Sequence, residues 1–211
     1  MAGWESYLIY GIGFLSQGLF AARLIIQWIL SEKEGRVVSP VIFWQLSVVA
    51  SYLFMIYGVL QNDFVIIFGQ ALGYIIYIRN LQLEGAWKSI AFPFRAGAIL
   101  VPMLTLIWFF LPFGLAHMPF DSAVFFRAAV IAGATGQTLL NLRFVYQWYY
   151  AERFKTSFFP VGFWYMTTTG SLLVIIYAVQ HFDPVLLLAQ GVGLIASLRN
   201  IQLYFKTKEA R

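Results

Sequence analysis

The sequence predicts an all-α polytopic membrane protein with seven transmembrane helices, arranged as two three-helix bundles joined by one further helix. Three observations support this fold class: an apolar composition, a one-sided distribution of basic residues, and an internal repeat. Of the 211 residues, 61% are hydrophobic and 11% are charged, and the mean hydropathy is +0.76. Soluble domains carry about 45–50% apolar and about 25% charged residues, so the composition argues against a soluble enzyme or binding module.

Apolar runs and the breaks between them define the seven predicted helices in order. A spanning helix needs about 20 apolar residues. The predicted spans are roughly residues 6–31, 39–60, 63–83, 92–116, 121–151, 158–181 and 183–205. The breaks are polar or contain turn formers: a charged loop at 31–36, a tight turn at 61–63, a polar link at 84–89, and proline-containing turns at 118–121 and 182–184.

Basic residues sort to one side of these seven spans. The first, third and fifth loops and the C-terminus receive Lys33, Arg36, Lys88, Arg95, Arg153, Lys155, Lys206, Lys208 and Arg211, with Arg79 and Arg199 at the adjoining helix ends. The opposite side receives Glu5, Asp63, Asp121, Asp183, His117 and His181, and its loops contain no Lys or Arg. Because basic loops remain cytoplasmic, we expect a multi-pass membrane protein with its N-terminus outside and its C-terminus in the cytoplasm.

The sequence repeats itself at an offset of 120 residues. Residues 11–83 align with 131–203 without a gap, and 25 of the 73 positions are identical. The identical pairs include polar residues that generic membrane helices do not share. Among them are Gln17/Gln137, Arg23/Arg143, Gln27/Gln147, Trp28/Trp148, Glu32/Glu152, Trp44/Trp164, Asp63/Asp183, Gln70/Gln190, Arg79/Arg199 and Asn80/Asn200.

Each repeat contains three spans, and one extra span lies between them. The extra span at 92–116 has no counterpart, and it gives both repeats the same orientation in the membrane. We therefore predict a 3+1+3 architecture: repeat 1 at 6–84, a linker helix at 85–120 and repeat 2 at 121–206. Parallel repeats of this kind occur in some transporters, whose substrate sites lie near the bilayer midplane.

The repeated segments resemble a known family. The resemblance is carried by Gly13-Phe14-Leu15-Ser16-Gln17, Arg23, Gln27-Trp28, Glu32, Pro40, Phe43-Trp44, Gln70, Gly73 and Arg79-Asn80-Leu81, and by their counterparts in repeat 2. These motifs are similar to the lipid-A-disaccharide synthase N-terminal-type (LAB_N-like) membrane domain, within the three-helix-repeat group of SWEET and PQ-loop proteins. The resemblance implies a SWEET/PQ-loop-like fold and the handling of lipid-linked sugars in envelope or lipid A modification. It also implies a location in the bacterial inner membrane, where the orientation given above makes the N-terminus periplasmic and the C-terminus cytoplasmic. Because no glycosyltransferase domain follows, we expect no synthase activity and predict that the chain is not an enzyme.

Polar residues inside the spans define a candidate binding site. Arg23 and Arg143 lie within apolar segments, and the nearest acids along their helices, Glu32 and Glu152, come nine residues later. Intramembrane charges are costly and indicate function, and arginine suits bidentate binding of phosphate. We therefore predict that a cavity between the two bundles binds a phosphate-bearing lipid head group. The predicted binding residues are Arg23, Arg143, Gln17, Gln27, Gln137, Gln147, Gln70, Gln190, Asn80, Asn200, Trp44 and Trp164.

Structural roles are the alternative for the same residues. The two arginines suit snorkelling to the interface or bonding to glutamines and backbone carbonyls of neighbouring helices. Gln70 and Gln190 suit hydrogen bonds between helices. Arg79 and Arg199 suit ion pairs with Glu32 and Glu152 or contacts with lipid phosphates.

The predicted function is that of a transporter or flippase for a polyprenyl-phosphate-type lipid-linked sugar. Two alternatives stay open: a SWEET-like transporter of a soluble sugar or small metabolite, and an accessory membrane subunit that docks a glycosyltransferase. The expected partners are a membrane lipid or lipid-linked sugar and a membrane glycosyltransferase, and no nucleic acid. The sequence has no cysteine, glycine-rich phosphate loop, zinc pattern or nucleophile elbow, so we expect no cofactor, no metal and no catalytic residue.

Overall fold

The computed structural model describes residues 4–60, 64–110, 128–180 and 184–209, and this part of the chain contains α-helices and no strand. The helices are α1 Trp4–Glu34, α2 Val41–Leu60, α3 Phe64–Leu83, α4 Phe92–Phe110, α5 Ala128–Phe154, α6 Val161–Gln180 and α7 Pro184–Glu209. A short 3₁₀ turn, Ala86–Ser89, lies between α3 and α4. The predicted all-α class is confirmed.

Three of these helices have the length and the apolar composition to cross a membrane. They are the segment Tyr7–Glu34 of α1, α2 and α6. Large apolar side chains such as Tyr7, Phe94 and Leu188 are exposed on the helix surfaces, as expected of a protein surrounded by hydrocarbon. Membrane association is therefore supported, whereas the full count of seven crossings stays a prediction.

The first helix of each repeat ends in the same way. Gly35 follows α1 with a φ of +63°, and Lys155 follows α5 with a φ of +54°. A left-handed residue just past the last turn is a common helix terminator. One bend residue and three further non-helical residues then lead to Pro40 and to Pro160, so α2 and α6 begin after these prolines rather than at the predicted residues 39 and 158.

Several predicted boundaries and residues fall outside the described part of the chain. The end of the fourth predicted span and the start of the fifth lie in 111–127, together with His117, Asp121 and Arg127. Asp63, His181 and Asp183 also lie outside it.

The chain forms two compact units whose limits differ from those of the sequence repeats. Unit 1 contains residues 4–23 and 41–110 of the described chain, and unit 2 contains residues 24–40 and 128–209. The division therefore passes through α1 between Arg23 and Leu24. The predicted domain limits of 6–84, 85–120 and 121–206 follow the repeat and stay predictions.

Each unit is held by close helix packing. In unit 1, Met55 of α2 and Ile67 of α3 are buried together. In unit 2, Gly136 and Gly170 let α5 and α6 approach closely, because a Cβ built on Gly136 would lie 2.7 Å from the carbonyl oxygen of Gly170. Small residues at a crossing allow this approach between membrane helices.

Candidate functional site

Arg23 lies inside unit 1 in a pocket of aromatic rings and one hydroxyl. The residue is only 7% exposed. Its Nη1 donates a hydrogen bond to the Oγ of Ser47, which in turn donates to the carbonyl oxygen of Phe43. The guanidinium carbon lies 4.5 Å from the ring centroid of Phe20, 4.9 Å from that of Phe43 and 5.2 Å from that of Tyr77. These distances are within the range of cation–π attraction.

Arg143 has the corresponding surroundings in unit 2. Its Nη1 donates to the Oγ1 of Thr167 over 2.9 Å, and Thr167 donates to the carbonyl oxygen of Phe163 over 2.7 Å. The guanidinium carbon lies 4.9 Å from the ring centroid of Phe144 and 5.2 Å from that of Phe163. Arg143 is partly exposed, unlike Arg23.

We call each of these arrangements an arginine cradle. The unit 1 cradle consists of Arg23, Ser47 and Phe43, and the unit 2 cradle consists of Arg143, Thr167 and Phe163. In both, the hydroxyl lies 24 positions after the arginine, and the ring lies four positions before the hydroxyl. One helical turn separates the ring from the hydroxyl, so both reach the same face of the second helix.

Trp44 and Trp164 are fully buried next to the cradles. Each indole lies 4.9 Å, between ring centroids, from the phenylalanine that precedes it in the chain. Trp164 also packs on Phe159 at 5.4 Å. Its indole Nε1 is buried and has no hydrogen-bond acceptor among the described residues. Buried donors are normally satisfied, so this N–H is available to an acceptor that the described part of the chain does not supply.

Gln27 and Gln147 are buried and anchor the loops that follow their helices. The Nε2 of Gln27 donates to the carbonyl oxygen of Val38, and that of Gln147 donates to the carbonyl oxygen of Phe158, both over 3.2 Å. Gln27 also donates to the Oδ1 of Asn200 over 3.0 Å within unit 2. Both glutamines therefore have structural contacts, whereas the sequence analysis predicts them as ligand-binding residues.

Gln70 and Gln190 bridge neighbouring helices, as the structural alternative predicted. The Oγ of Ser51 donates to the Oε1 of Gln70, and the Oγ of Ser171 donates to the Oε1 of Gln190, both over 3.0 Å. These bonds join α2 to α3 in unit 1 and α6 to α7 in unit 2.

The remaining predicted amides do not join the cradles through the contacts described. Asn80 and Asn200 are buried, and each donates to a backbone carbonyl one turn earlier in its own helix, over 2.9 and 2.8 Å. Gln17 and Gln137 are exposed on α1 and α5. Exposure on a membrane helix leaves them open to lipid or ligand.

An ion pair lies near the end of α1 in unit 2. Arg199 donates from Nη2 to the Oε2 of Glu32 over 2.9 Å, and the indole of Trp28 donates to the Oε1 of the same carboxylate over 3.0 Å. The expected pairing of an arginine with a glutamate is thus confirmed for Arg199. The same carboxylate is the hydrogen-bond acceptor of the Trp28 indole, so Trp28 has a specific polar partner.

The aromatic part of the cradles was not predicted from the sequence. Phe43 and Phe163 are identical in the two repeats, but the residues predicted to bind the ligand are polar residues and tryptophan. The sequence signal for these rings is the Phe-Trp pair that is identical in both repeats. In each repeat its phenylalanine lies four residues before a residue with a hydroxyl group. For metals, no group of three His, Asp or Glu residues lies together within the described ranges.

Comparisons with known proteins extend this picture. The model of the Lipid A Biosynthesis N-terminal domain family matches residues 12–82 and again residues 132–202. The lipid-A-disaccharide synthase of Chlamydia pneumoniae is 32% identical over 215 residues, which cover 97% of this chain and 35% of the relative. The synthase of Chlamydia caviae is 30% identical over 214 residues, covering 95% of this chain and 34% of the relative. No solved structure matches the chain.

These matches correct one prediction and support another. The chain spans about a third of the length of the curated relatives. The prediction that it is not an enzyme is contradicted, because those relatives carry the name of a synthase. The wider SWEET/PQ-loop grouping stays a prediction. The double match of the family model, which covers more than half of the residues, shows that the chain belongs to the Lipid A Biosynthesis N-terminal domain family.

Proposed function

We propose that this chain binds a phosphate-bearing, lipid-linked sugar of lipid A biosynthesis in the bacterial inner membrane and moves its head group across the bilayer. The observation that carries the proposal is the arginine cradle, which occurs in both units at the same spacing. The family supports the link to lipid A. The proposal includes the seven predicted crossings, a periplasmic N-terminus and a cytoplasmic C-terminus.

The cradle suits an anionic ligand because it holds the cation in place before binding. The hydroxyl and the aromatic rings restrict the guanidinium, so less side-chain freedom is lost when phosphate binds. An arginine fork presents several N–H donors to phosphate oxygens, and charge-assisted bonds of this kind are strong. In a site of low dielectric constant each such bond is strengthened further.

Sugar recognition has a candidate group in unit 2. The Trp164 indole N–H is buried and has no acceptor among the described residues. A sugar hydroxyl or phosphate oxygen that accepts this bond would remove the desolvation cost of the donor. The ring of Phe163 packs against both Trp164 and Arg143 and so connects the indole to the guanidinium within the unit 2 cradle.

A second candidate function is presentation of the lipid to a glycosyltransferase. The match covers only about a third of each chlamydial synthase, so in those proteins the region shares a polypeptide with the remainder of the enzyme. That arrangement favours a membrane domain that delivers an acylated sugar to catalysis without translocating it.

The test uses the purified chain in vesicles that contain a fluorescent polyprenyl-phosphate sugar. We expect Arg23→Gln and Arg143→Gln each to weaken binding by roughly tenfold to a hundredfold, since a hydrogen bond to a charged group contributes about 1.5–3 kcal/mol. Arg36→Gln is the matched control, because it removes the same charge from an exposed loop residue. Translocation is measured separately, by access of the sugar to a reagent outside the vesicles.

Three outcomes separate the proposals. Normal binding by a folded Arg23→Gln/Arg143→Gln double variant would refute a phosphate-binding role for the cradles. Cradle-dependent binding without translocation by the unsubstituted chain would favour presentation to a glycosyltransferase. Uptake of a free sugar would instead favour transport of a soluble cargo.

A further inference from the structure

Unit 1 contains an apolar cavity that is separate from its arginine cradle. The cavity has a volume of about 550 Å³, within the range of roughly 300–1,000 Å³ that is usual for ligand sites. Its walls come from α2, α3, the 3₁₀ turn and α4. The lining includes Val48, Tyr52, Tyr74, Trp87, Phe94 and Gly97.

The lining chemistry favours hydrocarbon over water as the occupant. Aromatic and aliphatic side chains form most of the wall, and the few polar atoms are the phenols of Tyr52 and Tyr74, the indole of Trp87 and the amide of Gln45. A buried water needs two to four polar partners, so most of this space cannot hold ordered water. One wall is α2, which has the length and hydropathy of a membrane span. The material available to fill the cavity beside such a helix is lipid.

Two basic residues are next in the chain to residues that line the cavity. Lys88 follows the lining residue Trp87 and is exposed, and Arg95 follows the lining residue Phe94. The Nε of Arg95 is buried and has no hydrogen-bond acceptor among the described residues. A buried guanidinium N–H without an acceptor is costly, and a phosphate oxygen would satisfy it.

The cavity depends on residues that repeat 2 does not share. Val48 and Tyr52 of α2 correspond to Thr168 and Leu172 of α6 in the repeat alignment. In unit 2, the hydroxyl of Thr168 forms a 2.9 Å hydrogen bond with that of Ser197, which joins α6 to α7. The wall formed by α4 has no repeat counterpart in the sequence. At these positions the lining of the cavity is therefore specific to repeat 1 and to α4.

We propose that this cavity is a lipid site that holds one acyl chain of an anionic membrane lipid, with the lipid phosphate at Lys88 and Arg95. Both residues belong to the side predicted to be cytoplasmic, where anionic lipids accumulate and attract basic residues. The proposal does not depend on the cradles, because the cavity-lining residues and the members of the unit 1 cradle are different residues.

The experiment uses the full chain in vesicles that contain phosphatidylglycerol with a photoreactive diazirine in its acyl chain. After illumination, mass spectrometry locates the cross-links. We expect them to concentrate on α2 and α4 around Tyr52 and Phe94. Gly97→Trp should reduce these cross-links by roughly tenfold, because a Cβ at Gly97 meets open space and the indole would occupy the cavity.

Gly18→Trp is the matched control for the cavity. Gly18 is also a helical glycine of unit 1 with open space around its Cβ, but it does not line the cavity. We expect unchanged cross-linking in this variant. The Lys88→Gln/Arg95→Gln variant should lose the preference for phosphatidylglycerol over phosphatidylcholine that carries the same diazirine chain.

Three results would overturn the proposal. The first is an even spread of cross-links over all exposed helices of the unsubstituted chain. This result can be obtained without any variant, so it does not depend on whether a variant folds. The second is equal labelling of the Gly97→Trp and Gly18→Trp variants when both variants are folded. The third is evidence that a second copy of the chain, and not a lipid, occupies the cavity. The cradle variant Arg23→Gln should leave the cross-links unchanged, so failure of this site is distinguishable from failure of the proposed function.

Discussion

At the scale of single residues, the chain places two arginines in apolar helices and surrounds each with the same kinds of groups. A charged side chain at the centre of a membrane helix costs about 2.5–3.5 kcal/mol on insertion scales. A hydroxyl and two or three aromatic rings offset part of this cost at Arg23 and Arg143. The hydroxyl is serine in one unit and threonine in the other, so the contact is kept although the residue differs.

Thr167→Val tests the hydroxyl of the unit 2 cradle with almost no change in shape. The substitution removes the bonds from Arg143 and to Phe163, so we expect the free energy of unfolding to fall by roughly 1–2 kcal/mol, as for hydrogen bonds between membrane helices. Unfolding in mixed detergent micelles measures the change. Thr169→Val, at an exposed position of the same helix, is the control. Equal stability of the two variants would mean that the cradle bond contributes nothing to folding.

At the scale of elements, the two units differ in the residues at the crossing of their first two helices. Gly136 and Gly170 form the close crossing of α5 and α6, and a Cβ on either would lie within 2.9 Å of the other's carbonyl oxygen. The repeat counterparts in α1 and α2 are Ser16 and Ala50, which are buried and carry a Cβ. Unit 2 therefore depends on backbone contact where unit 1 uses side-chain packing.

Gly136→Ala should destabilise unit 2 by roughly 1–3 kcal/mol, the usual cost of overpacking a tight contact. The obstacle is a backbone carbonyl, which cannot move aside as a side chain does. Gly191→Ala serves as the control because its Cβ would meet nothing within 4 Å. Thermal unfolding in detergent compares the two. A Gly136→Ala protein as stable as Gly191→Ala would show that the crossing relaxes at little cost.

At the scale of the whole molecule, the few charged residues carry the information about orientation. The chain has 14 Lys and Arg residues and no cysteine, which makes single-cysteine labelling straightforward. Lys33, Lys155 and Gln180 are all exposed in the structure. The first two lie on the predicted cytoplasmic side, and Gln180 lies at the predicted periplasmic end of α6.

Labelling of intact cells with a membrane-impermeant maleimide tests the predicted orientation. We expect Gln180→Cys to react, and Lys33→Cys and Lys155→Cys to react only after the membrane is opened, because basic loops are retained in the cytoplasm. Reaction of Lys155→Cys in intact cells would reverse the topology or change the number of crossings.

Most of the helices were predictable because apolar runs and turn formers mark them directly. The limits differ where polar residues continue a helix, as at Glu32 and Glu34 of α1, or where a proline delays one, as at Val41 and Val161. The two arginines were predictable from the repeat. Their aromatic neighbours were not, since a phenylalanine in a membrane helix is ordinary until its position relative to a charge is known.

The bond between Gln27 and Asn200 joins residues that are 173 positions apart, and this separation has a consequence for biogenesis. At a synthesis rate of roughly 5–20 residues per second, about 9–35 s pass between the synthesis of the two residues. During that time the amide of Gln27 has only its local partners, such as the carbonyl oxygen of Val38. A nascent chain that stalls before α7 therefore has the local part of this hydrogen-bond network but lacks the bond that joins the end of α1 to the last helix.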